Sequence, residues 1–183
     1  VYEGAIKFST FQWKEMLQDD YWNVFPVNIK LAVFWGILLI PFPKSLVTIK
    51  VFNAILLYWS IVLTREISRE FGIRYYKITY ILMLTFIPLF LYINQVYYDL
   101  PVIFCSLLAI YVYLKQEHIV APLMILGLAS YLRDTVLIVM VAIIIIHIFK
   151  NKEMFLKKES KKIVCEIIVS IVLFWGIGHS LTA

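Results

Sequence analysis

The sequence predicts an all-α fold, a polytopic transmembrane helical bundle of about six spans with an external juxtamembrane helix beside them. Three observations carry this reading. Of 183 residues, 62% are hydrophobic and only 16% charged, with a mean hydropathy of +0.86, well above the ~45–50% apolar content of soluble domains. Apolar residues run unbroken, as in "VLIVMVAIIIIHIF", without the in/out alternation of a barrel strand, and a membrane helix satisfies its own backbone. The net charge of +5 sits in short basic clusters between apolar runs. That is how a positive-inside membrane protein distributes its cations, and it argues against nucleic acid as a partner.

Apolar segments fall near 29–42, 45–63, 78–93, 100–114, 119–132, 135–149 and 163–181. Several are shorter than the ~20 residues that cross a hydrocarbon core of ~30 Å, and they borrow aromatic flanks such as Tyr75, Tyr76, Tyr97 and Tyr98 at the interfaces. The segment 29–42 stands apart. It is short, bracketed by Pro26, Pro41 and Pro43, and has Lys30 and Lys44 at its ends, which predicts a juxtamembrane helix lying on or dipping into the outer leaflet. Residues 1–28 hold four acids against Lys7 and Lys14, a poor composition for a cytoplasmic segment. The expected organisation is therefore an external loop with a juxtamembrane helix over 1–44, then a single transmembrane helical core over 45–183. Asn53 is expected to hydrogen-bond between helices, and Pro88 to kink its helix. With Val1 in place of a methionine, no signal-peptide pattern and a last residue directly after an apolar run, the chain reads as a fragment of a longer polytopic protein.

Lys and Arg set the orientation. Arg65, Arg69, Arg74 and Lys77 fall in 64–77, and Lys150, Lys152, Lys157, Lys158, Lys161 and Lys162 in 150–162, so both segments are expected to be cytoplasmic. The loop 94–99 has no basic residue. Alternation of the spans then turns 94–99 outward and puts Arg133 and Asp134 on the same outer face.

Asp99 precedes Leu100 and Pro101, and Asp134 precedes Thr135, so each reads as a helix cap. A second reading is open. Asn94, Gln95, Tyr97 and Tyr98 collect around Asp99, and Arg133 stands beside Asp134 on the face poor in basic residues. Ionisable groups at membrane depth are costly and mark candidate sites, and an arginine offers a rigid fork of donors suited to phosphate. Arg133 read blandly is a cation at a helix C-terminus. Cys105 and Cys165 lie in apolar runs as small fillers, and His118, His147 and His179 have no partner at ligand spacing. No catalytic triad, phosphate loop, dinucleotide fingerprint or zinc motif is present in the sequence.

The order "YWNVFPVNI" (21–29), "VFNAILLYW" (51–59), "VYYDLPVIF" (96–104) and "LGLASYLRDTVLIV" (126–139) resembles the membrane core of the GT-C superfamily. These are polyprenol-phosphate-sugar-dependent glycosyltransferases, with the protein O-mannosyltransferases as the familiar members. The resemblance implies transfer of a sugar, with inversion, from a polyprenyl-phosphate carrier to a glycan, lipid or protein acceptor at the outer face of a bacterial plasma membrane. It implies a catalytic role for Asp99 and a phosphate-binding role for Arg133, beside which Asp134, Tyr97, Tyr98 and Asn94 are the candidate substrate-binding residues. The family's first-loop acid would lie upstream of Val1, with Asp19 and Asp20 as less well placed substitutes, and the cofactor stays open, a divalent metal being one candidate. Where the family often has proline after the arginine, this chain has Asp134. A transporter or flippase of lipid-linked sugars, or a non-catalytic membrane subunit, is the alternative; the paired broken spans of an internal repeat, which a transporter would show, are not visible.

Overall fold

The structure, a computed structural model, describes residues 1–116, 118–151, 168, 169 and 172. The expected span 163–181, the lysines from Lys152 onward, Cys165 and His179 lie outside the described residues, apart from positions 168, 169 and 172 in that span. Among the described residues all regular structure is helical: α1 (Tyr2–Ser9), α2 (Trp13–Leu17), α3 (Asp20–Val24), α4 (Val27–Leu39), α5 (Leu46–Glu70), α6 (Tyr76–Thr85), α7 (Ile87–Leu91), a 3-10 turn over Tyr92–Asn94, α8 (Asp99–Gln116), α9 (Val120–Ser130) and α10 (Val136–Lys150). Two helices, α5 and α8, are long and apolar enough to cross a membrane. The bent pair Tyr76–Thr85 and Ile87–Asn94 makes a third if it counts as one span. The shorter apolar helices are α4, α9 and α10. At 13 residues α4 is about 20 Å long, short of a ~30 Å hydrocarbon core.

The chain divides into two compact units, Val1–Tyr58 with Phe86–Leu100 and Trp59–Thr85 with Pro101–Ala183. In the first, α1 packs on α4. The buried residues of α4, Leu31, Ala32, Trp35, Gly36 and Leu39, recur at helical spacing and form one face. With Ala5 of α1 and Ile49 of α5, Leu31, Trp35 and Leu39 form the core, and Val96 and Tyr98 pack against it. Close approach depends on glycine. A Cβ on Gly36 would stand 2.7 Å from Phe8 Cδ1, and one on Gly4 2.5 Å from Trp22 Cζ2. Trp35 meets Phe52 of α5 edge to face, centroids 6.1 Å apart, a geometry favoured by the ring quadrupoles.

Local signals place the helix ends. Asp19 accepts the Tyr21 amide at 3.0 Å and caps α3, and Ser45 Oγ accepts the Val47 amide at 3.0 Å where α5 opens. At the other end of α5, Gly72 has φ +68°. The amides of Ile73 and Gly72 return to the carbonyls of Ser68 and Arg69 at 3.1 and 3.0 Å, the paired bonds of a Schellman stop. The break expected at Pro88 falls at Phe86, which is not helical, and Pro88 occupies the first turn of α7, where its missing N–H costs nothing.

In the second unit α9 packs on α10, with Val136, Met140, Ile143 and His147 forming the buried face of α10. His147, read from sequence as structural, is 3% exposed and meets Tyr113 of α8, its Nδ1 3.4 Å from the phenol oxygen. The C-terminal ends of α5 and α8 lie side by side, since Lys115 Nζ donates to Glu70 Oε1 at 2.6 Å.

Candidate functional site

Asp99 opens α8 as its first helical residue. It stands one position inside the N-cap place the sequence implies, where its charge still meets the positive end of the helix dipole. It is half-buried, as is Tyr98, while Asn94 and Tyr97 are exposed. What fixes this segment is a residue sequence reasoning assigned a different partner. Asn53 of α5, 1% exposed, donates from Nδ2 to the carbonyls of Gln95 at 2.9 Å and Ile93 at 3.4 Å. The expected helix-to-helix bond is thus a helix-to-loop bond. The physical reason is that 92–98 leaves the helix and exposes carbonyls without intrahelical donors, which a buried amide can satisfy. Asn53 Oδ1 is itself buried without a partner among the described residues. The one hint in the sequence is an amide inside an otherwise apolar span.

Arg133 and Asp134 are exposed in the turn between α9 and α10. The Asp134 carbonyl accepts the Leu137 amide at 2.9 Å, and Thr135 is the N-cap of α10 with no side-chain cap bond, so the cap expected at Asp134 is a backbone one. Asn94, Tyr97, Tyr98 and Asp99 belong to the first compact unit and Arg133 and Asp134 to the second. Each set is ordered by its own neighbours.

Cavities among the described residues of the first unit include two that bear on the site. One, of about 240 Å³, is lined by Glu3, Lys7, Met16, Asp19, Tyr21 and Trp22, so of the two substitute acids Asp19 faces a cavity, although one of its oxygens caps α3. The other, of about 370 Å³, is an apolar groove between α4 and the start of α5, lined by Leu38, Phe42, Val47, Val51, Phe52 and Ile55 among others. Among the described residues no three His, Cys, Asp or Glu side chains come together as a metal-holding group. No family model, curated protein or solved structure matches the chain.

Proposed function

We propose that this chain is the membrane core of a multi-pass glycosyltransferase of a bacterial plasma membrane, taking its sugar from a polyprenyl-phosphate carrier. The observation that supports it most is the Asn53 clamp. A buried amide in an apolar helix is committed to holding the short polar loop that ends at Asp99, and such polar investment in a candidate span is expected of a site rather than of a plain connector. The salt bridge between Glu70 and Lys115 fits a topology in which 64–77 and 115–118 share the cytoplasmic side. The apolar groove of α4 and α5 suits an isoprenoid chain.

In this reading the acceptor hydroxyl loses its proton to a carboxylate, its oxygen bonds the sugar C1 from the face opposite the phosphate, and the C1–O bond to phosphate breaks. Asp99 orients or assists that base. Arg133 stabilises the departing polyprenyl phosphate with a bidentate fork. Tyr97, Tyr98 and Asn94 line the approach to Asp99, and Asp134 steadies the turn that carries Arg133. The acceptor is a glycan, lipid or protein.

The test is sugar transfer from a polyprenyl-phosphate donor by the membrane-inserted Asp99→Asn protein. Asparagine keeps a polar side chain of the same size but no charge. Transfer should fall by roughly 10²-fold or more. Near-normal transfer would return Asp99 to a purely structural role and favour a non-catalytic subunit or a carrier of lipid-linked sugars.

A further inference from the structure

Another cavity, of about 390 Å³, lies in the other unit and shares no residue with the candidate site. It is lined by Arg65 and Arg69 of α5 and by Tyr76, Lys77, Tyr80 and Ile81 of α6. We propose that this cavity binds the phosphate headgroup of an anionic lipid in the leaflet at the C-terminal end of α5.

Depth comes first. At 25 residues α5 is about 38 Å long, against a hydrocarbon core of ~30 Å, so its last turn, with Arg69, extends into the headgroup layer and Arg65 reaches its edge. The Schellman stop at Gly72 then turns the chain back, and Tyr76 and Tyr80 enter at the same level, the usual depth of interfacial tyrosines. The walls match a boundary ligand, cationic on one side and aromatic or aliphatic on the other.

Charge comes second. Glu66 lies between the two arginines. Its Oε1 accepts from Arg65 Nε at 2.9 Å and Nη2 at 2.5 Å, and its Oε2 is 2.5 Å from Arg69 Nη2. One carboxylate therefore orients two guanidiniums and neutralises one of them. Each arginine carries five N–H donors, and the Nη1 groups of both have no protein acceptor among the described residues. The Arg65 guanidinium also stands 5.8 Å from the Tyr80 ring centroid, a cation–π distance that holds it against the wall. Lys77 has no ion-pair or hydrogen-bond partner among the described residues. Glu70 Oε1 stands 3.9 Å from Arg69 Nη2 but pairs at 2.6 Å with Lys115 Nζ, so Arg65, Arg69 and Lys77 against Glu66 leave a net positive cavity with oriented donors, the requirement for a phosphate monoanion.

The proposal depends on α5 crossing a membrane but not on the transferase reading. The experiment reconstitutes the full chain in nanodiscs containing phosphatidylglycerol and phosphatidylcholine, and reads by native mass spectrometry which lipid stays bound after release. Wild type should retain phosphatidylglycerol preferentially. Lys77→Gln, which breaks no contact of the fold, should lower that preference about fivefold, the worth of one interfacial cation, and Arg69→Gln should lower it further. A preference unchanged in both variants would overturn the site. Displacement of the lipid by inorganic phosphate at equal concentration would overturn a lipid source for the anion. Alkaline carbonate extraction of the same proteins separates the alternatives: a chain stripped from the membrane overturns the spanning helix and this site together, whereas a retained chain without preference overturns the site alone.

Discussion

Asn53 Nδ2 and the Gln95 carbonyl meet at 2.9 Å although 42 positions separate them in the chain. This bond closes α5 onto the loop that precedes α8. Asn53→Leu keeps the volume but strands two carbonyls, a loss of about 1–3 kcal/mol for buried groups left unpaired. The measurement is thermal unfolding of the detergent-solubilised chain, with protease sensitivity of 92–98 as a local readout. Unchanged stability and protection would mean the loop is held by its apolar contacts alone.

Two glycines should respond to alanine for opposite reasons. Gly36→Ala drives a methyl group to 2.7 Å from the Phe8 ring, so α1 must shift on α4 at a cost of roughly 1–3 kcal/mol. Gly72→Ala meets no atom within 4 Å but forces a side chain onto φ +68°, a backbone penalty of about 1 kcal/mol. Pairing Gly36→Ala with Phe8→Ala should recover part of the first loss, while the second should be indifferent to Phe8. Equal responses to the pairing would refute this division.

Orientation can be read by thiol labelling of intact cells after Cys105 and Cys165 are replaced. Tyr97→Cys is preferable to Tyr98→Cys, because Tyr97 is 54% exposed and Tyr98 packs on the core. The proposed topology expects labelling at position 97 and none at Arg74→Cys until the membrane is permeabilised. The reverse pattern would invert the protein and remove Asp99 from the outer face.

Arg133→Lys keeps the positive charge and loses the bidentate fork. In the proposed enzyme it should weaken use of the lipid-phosphate donor while leaving thermal stability within about 0.5 kcal/mol, as expected of an exposed turn residue. A matching loss of stability, or no loss of donor use, would assign Arg133 to the α9–α10 turn alone.

Composition and periodicity determined the helical class by themselves, because an apolar run without alternation has one economical way to satisfy its backbone in lipid. They also located most apolar segments within a few residues, the break near Pro88, and the shortness of the helix that became α4. Asp99 and Arg133 were legible as isolated polar residues between apolar runs. Tertiary structure decided what local sequence does not encode: that Asn53 serves loop carbonyls rather than a neighbouring helix, that Gly4 and Gly36 seat aromatic rings, and that the Arg65 guanidinium of α5 stands over the Tyr80 ring of α6. Each of these is a meeting of residues distant in sequence or of side chains that converge only once helices pack. Hydrophobic pattern fixes which face of a helix is buried, but the partner on that face is chosen by shape and by the carbonyls and charges that remain unpaired after the helices form.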